Sequence, residues 1–106
     1  MSRYFFVRTQ PTISNKIDYF SLIAKLAKEG NAVSILLLHN EIAPAIKSAE
    51  ASSFDDLLNS PIQIYVDRFS LRQRAINATE LKPKIKLAEL DIIISARLNG
   101  DEIIWN

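Results

Sequence analysis

The run Ile35–Leu38, inside NAVSILLLHN (31–40), holds apolar side chains at consecutive positions with no polar residue between them. A strand with one face in water alternates apolar and polar residues, whereas a strand covered on both faces does not. The run is too short for a buried helix and is bounded by Asn31 and by His39-Asn40, so it reads as a strand in the middle of a sheet with helices on either side. Such strands belong to parallel sheets, in which each strand is followed by a helical crossover.

The rest of the chain fits that demand. RYFFVRT (3–9) is short and aromatic-rich, as a first strand should be. After the loop QPTISNK, the stretch KIDYFSLIAKLAKEG repeats Ile17, Phe20, Ile23, Ala24 and Ala27 at helical spacing. Ser14 or Asn15 is placed to cap that helix, and Gly30 to end it in a left-handed turn. A second helix is expected over about 42–51, with Ile42, Ala45, Ile46 and Ala49 on one face and Pro44 in its first turn. SSFDDLLNSP predicts a short third helix capped by Ser53, with Asp55 and Asp56 near its positive end. Ile62–Val66 is the next strand, followed by a short helix near 68–75 and a turn over NATELKP. KIKLAE is a weaker strand, and ELKPKIK reads as a basic, solvated loop. In ELDIIISARLNG, Ile92–Ile94 suits either element, but Ala96, Leu98 and the Asn99-Gly100 stop favour helix. DEIIWN supplies a last strand. Alternation of strand and helix predicts an α/β domain, one unit over 1–106, with a mainly parallel sheet between helical layers.

Composition narrows the function. Thirteen basic and twelve acidic residues give a net charge of +1, which argues against general nucleic-acid binding. No segment approaches the ~18 continuous apolar residues of a membrane-spanning helix. The apolar run Tyr4–Val7 is too short for a signal peptide. The expected setting is the cytoplasm, with no membrane partner. There is no cysteine, which removes disulfides, thiolate metal sites and cysteine nucleophiles together. No glycine-rich phosphate loop is present, and the only histidine has no neighbour at ligand spacing, so neither a cofactor nor a metal is expected.

In open α/β sheets, ligands sit beyond the carboxyl ends of the strands. Those ends present Thr9 and Gln10, His39 and Asn40, and Asp67 with Arg68, while Arg72 follows one helical turn later. These residues form the candidate pocket. Asp67 stands just before a helix, where a carboxylate caps the free amides of the first turn, and it is equally placed to act as a charge gate in a cleft. Arg68 and Arg72 are four apart and share a helix face, a solvated face by default and an anion or partner contact by the sharper reading. Arg68 is mildly unfavourable so near a helix start, which pairing with Asp67, Asp55 or Asp56 would relieve. Trp105 suits a core or an interface.

IYVDRFSLRQRAI (64–76) and NAVSILLLHNEIAPAIK (31–47), together with the order of elements over about 3–105, resemble the DsrE/DsrF-like proteins of sulfur relay. In that family a strand ending in valine is followed by cysteine and then a leucine–x–x–arginine helix closing on glycine–isoleucine. Val66, Leu71, Arg74 and Ile76 stand at the matching positions, while Asp67 replaces the cysteine and Ala75 the glycine. The resemblance implies a three-layer α/β/α fold with a five-stranded parallel sheet, and assembly into dimers or rings. It also implies transfer of sulfane sulfur as a cysteine persulfide, which a chain without thiols cannot perform. The expectation is therefore a non-catalytic or accessory DsrE-like subunit, forming a homo-oligomer or a hetero-oligomer with a cysteine-bearing relative. The alternative is a small-ligand or anion-binding domain that uses the crevice. Acid–base catalysis by Asp67 and His39 ranks last, since no substrate-positioning motif accompanies them.

Overall fold

The computed structural model describes residues 2–9 and 19–105. Five strands form one sheet: β1 (Arg3–Arg8), β2 (Ala32–Leu37), β3 (Ile62–Asp67), β4 (Ile85–Ala88) and β5 (Glu102–Trp105). Their order is β4-β3-β2-β1-β5 and every pairing is parallel. β2 lies at the centre, as its unbroken apolar run requires. Val33, Ile35 and Leu37 face one core, and Leu36 faces the other together with Leu38 just beyond the strand.

The larger core is covered by α1 (Tyr19–Lys28), α2 (Ser52–Leu58) and α3 (Arg68–Gln73). Ile23, Ala24 and Ala27 form the buried stripe of α1 at the predicted spacing. Phe54 of α2 is fully buried and meets Phe20 edge to face, with ring centroids 5.3 Å apart. The smaller core joins Phe5, Val7, Leu36 and Leu38 to Ala96 of α4 (Asp91–Leu98), which resolves the ambiguous isoleucine run as helix. The mainly parallel sheet between helical layers is thus observed, and it is parallel throughout. Among the described residues, no helix is long and apolar enough to cross a membrane.

Three local expectations are corrected. No α-helix covers 42–51; a 3₁₀ turn spans His39–Ala45 with Pro44 inside it, and Ile46 is already extended. Pro44 has no N–H and disfavours helical geometry at Ala43, so the chain leaves the helix instead of continuing it. Residues 45–47 pair with 80–82 instead: Lys82 N–H donates to Ala45 O and Lys47 N–H to Glu80 O, both at 2.8 Å, around an antiparallel bridge between Ile46 and Leu81. Second, the cap position of α2 is Ala51, not Ser53, and no side chain caps it. Third, ELKPKIK is not all solvated. Leu81 and Lys82 are buried, and Lys82 Nζ donates to Asp55 Oδ1 at 2.9 Å while lying 5.5 Å from the Phe54 ring centroid. The Ser14 or Asn15 cap falls outside the described residues.

The ends of α3 and α4 are built alike and differ in one residue. After α4, Gly100 takes φ 89°, with Gly100 N–H on Arg97 O and Asp101 N–H on Ala96 O. After α3, Ala75 takes φ 53°, with Ala75 N–H on Arg72 O and Ile76 N–H on Leu71 O. Both are Schellman closures, in which the left-handed residue is ordinarily glycine. An alanine there carries a Cβ clash that glycine avoids, partly offset by the greater freedom of glycine in the unfolded chain. Ala75→Gly is expected to stabilise the protein by about 0.5–1 kcal/mol. The check is a higher urea midpoint with an unchanged slope.

Candidate functional site

The parallel arrangement brings the carboxyl ends of all five strands to one edge. In register, Leu37 of β2 stands beside Val66 of β3, and Asp67 beside Ala88 of β4. The residues that follow these three ends form a cleft of about 430 Å³, lined by Leu38, His39, Asp67, Arg68, Phe69, Arg72, Glu89 and Leu90.

Asp67 is the last residue of β3 and the N-cap of α3, with extended backbone. It is 5% exposed. Its Oδ2 accepts from Ser70 N–H at 3.0 Å and from Ser70 Oγ–H at 2.7 Å. Ser70 Oγ, fully buried, in turn accepts from His39 N–H at 2.8 Å. The carboxylate therefore satisfies the first turn of α3 and, through one hydroxyl, holds the end of β2 against it. That bond also holds His39 in the left-handed region at φ 55°, which a non-glycine residue rarely adopts.

The arginines divide by role. Arg74 donates from Nε (3.1 Å) and Nη2 (2.7 Å) to Asn40 Oδ1, and from Nη1 to Ser70 O (3.1 Å). It ties the 3₁₀ turn to α3. Arg68 pairs with Glu89, Nε to Oε1 at 4.0 Å, and not with Asp67, Asp55 or Asp56 as expected. The Arg72 side chain is exposed and makes no ion pair or hydrogen bond among the described residues.

Of the residues predicted to share a pocket, the fold brings His39, Asp67, Arg68 and Arg72 together. Asn40 is turned to Arg74, and Thr9 lies past the end of β1, one strand away from the cleft. Gln10 lies outside the described residues. Sequence reasoning missed Leu38, Phe69, Glu89 and Leu90. Phe69 alone carried a signal: it sits two residues before inward-facing Leu71, so a helix must turn it outward, and it is 61% exposed.

A second polar group sits where β1 ends. Arg8 Nε is 3.0 Å from Glu41 Oε1, although the N–H is not aimed at that oxygen, so the contact is a close ion pair and not an aligned hydrogen bond. The Arg8 guanidinium also stacks 4.3 Å from the Tyr19 ring centroid. The Tyr19 hydroxyl is buried with no hydrogen-bond partner among the described residues. Burial pushes its pKa from 10.0 up to about 12, with the Arg8 charge acting in the opposite direction. A folded pKa above the unfolded one makes a contribution that is complete below about 10 and is lost as pH rises toward 12. Tyr19→Phe is expected to flatten the fall of the urea midpoint between those limits. At neutral pH the variant should be no less stable, since the hydroxyl it removes has no partner among the described residues. No group of three or more potential metal ligands occurs among the described residues.

No family model matches the chain, and no curated protein matches it. Solved structures do. A protein of unknown function, MTH1491 from Methanobacterium thermoautotrophicum, superposes with TM-score 0.84 at 12% identity, over 100% of both chains. The ychN protein from E. coli superposes with TM-score 0.81 at 12% identity, again over 100% of both chains. At that identity the likeness is one of fold alone: this chain, with its five-stranded parallel α/β sheet, shares the overall fold of these two proteins.

Proposed function

We propose that this chain is a DsrE-like subunit of sulfur-relay type that carries no persulfide itself and acts by assembling, with further copies or with a cysteine-bearing relative. Three features support the reading: the fold, the stretch IYVDRFSLRQRAI, and the use of its strand-end acid as a helix cap. The observation that carries it is an apolar strip on α4 and the edge strand β5. Ile94, Leu98 and Trp105 are 65%, 82% and 61% exposed and gather, with Ile93, Arg97 and Ile103, around a shallow groove. β5 pairs with β1 on one side only. Large apolar side chains grouped beside an open strand edge mark an interaction surface. Each such side chain contributes roughly 1.5–3 kcal/mol when fully covered.

Sedimentation velocity over a wide concentration range tests the reading. The native chain should associate, and Leu98→Asp with Trp105→Asp should give a folded monomer. A native chain that stays monomeric at millimolar concentration, and forms no complex with a cysteine-bearing DsrE-like protein, would overturn it.

A further inference from the structure

The cleft at the ends of β2, β3 and β4 is apolar where a vestigial pocket would be expected to be polar. Leu38 forms part of its lining from beneath and is buried, while Phe69 and Leu90 stand 61% and 55% exposed around it. The assembly reading does not use this surface, which lies with the strand ends and not on the β5 edge. Its volume of about 430 Å³ falls within the ~300–1,000 Å³ of small-molecule sites.

The charges around it select among ligands. Two guanidinium groups and two carboxylates line the cleft, so its formal charge is zero. They are not equally engaged. Asp67 accepts two hydrogen bonds from Ser70, and Glu89 faces Arg68. Arg72 is left as a cation without a partner among the described residues. A ligand with one negative charge would pair with Arg72, and the Asp67 carboxylate would stay held by its two hydrogen bonds from Ser70 instead of by a cation. A nucleotide or other polyanion would be repelled by the two carboxylates, and a bare inorganic anion would leave the apolar walls unused. A neutral hydrocarbon would leave Arg72 unanswered.

From this balance we infer that the cleft binds a small organic monocarboxylate, its carboxylate on Arg72 and its aromatic or branched aliphatic body against Leu38, Phe69 and Leu90. A guanidinium–carboxylate contact has the geometry of two parallel hydrogen bonds and is stronger than a neutral contact. The Asp67–Ser70–His39 bonds hold the end of β2 against the start of α3, so this part of the wall is formed before the ligand arrives.

Proton–nitrogen correlation spectra of the whole chain, titrated with phenylacetate and with isocaproate, test the inference. The expected result is saturable shifts confined to residues 38–39, 67–72 and 89–90. Phenylacetamide, which lacks the charge, and inorganic phosphate, which lacks the apolar body, should each bind at least about tenfold more weakly, the equivalent of about 1.4 kcal/mol. Arg72→Gln should weaken phenylacetate by a similar factor, while Lys28→Gln, a remote exposed cation on α1, should leave it unchanged. Because the Arg72 side chain is exposed and makes no ion pair or hydrogen bond among the described residues, its variant is expected to fold. Equal binding of amide and acid, equal binding of phosphate, shifts elsewhere on the molecule, indifference to Arg72→Gln, or no shifts with either acid would each overturn the inference. None of these outcomes bears on whether the chain assembles through β5.

Discussion

Asp67→Ala is expected to destabilise the protein by about 2–4 kcal/mol, combining the loss of a helix cap with a buried hydroxyl left short of an acceptor. Asp67 is nearly fully buried and receives two hydrogen bonds from Ser70, whose own oxygen accepts from His39. Removing the carboxylate leaves the buried Ser70 hydroxyl without its acceptor and loosens α3 from the end of β2. Asp67→Asn should lose much less, about 1 kcal/mol, because an amide oxygen still accepts from the first turn. Asp67→Cys should lose nearly as much as alanine, because sulfur is a weak acceptor. Urea unfolding of the three variants checks the series. An Asp67→Ala protein as stable as the native one would mean that the acid is held in the cleft for another purpose.

Phe54→Ala is expected to be the most damaging single substitution, at about 3–5 kcal/mol. Phe54 has no exposed surface, packs edge to face on Phe20 of α1, and lies under the ammonium of Lys82. Its ring is thus the point at which α1, α2 and the segment before β4 meet. A cavity there cannot close, because the surrounding Ile23 and Leu57 are themselves fully buried on fixed elements. The loss also uncovers the buried Lys82 ammonium, whose partner Asp55 is already half-exposed, and an ion pair in water contributes little. Against a total stability of roughly 5–15 kcal/mol, the change should lower the thermal midpoint by tens of degrees or prevent folding at body temperature. Thermal unfolding followed by circular dichroism measures it. A loss below 1 kcal/mol would show that α2 is not anchored through this ring.

What the sequence revealed depended on how local each cause was. The unbroken run Ile35–Leu38 required a strand with both faces covered, and β2 is that strand. The cap at Asp67 was legible because capping depends only on the residue's place before a helix. Pro44 was the opposite case: its apolar neighbours have helical spacing, but a missing N–H and the competing pairing of 45–47 with 80–82 decided the geometry. That pairing joins segments far apart in sequence, which periodicity does not report. The cleft was half legible for the same reason. His39, Asp67, Arg68 and Arg72 follow from the rule about strand ends, whereas Glu89 and Leu90 enter only because β4, the weakest strand signal, lies beside β3 and β1 does not. Thr9 was misplaced by that same strand order.

The claim that this chain works through an assembly surface is tested most directly by the fluorescence of Trp105, its only tryptophan. The indole is 61% exposed and sits in the apolar strip of α4 and β5. Emission recorded across a dilution series should move from that of a buried indole at high concentration to that of a solvated one at low concentration, with the midpoint displaced by Leu98→Asp. An emission maximum that stays at the solvated position at every concentration, and does not move when a cysteine-bearing DsrE-like protein is added, would contradict the account.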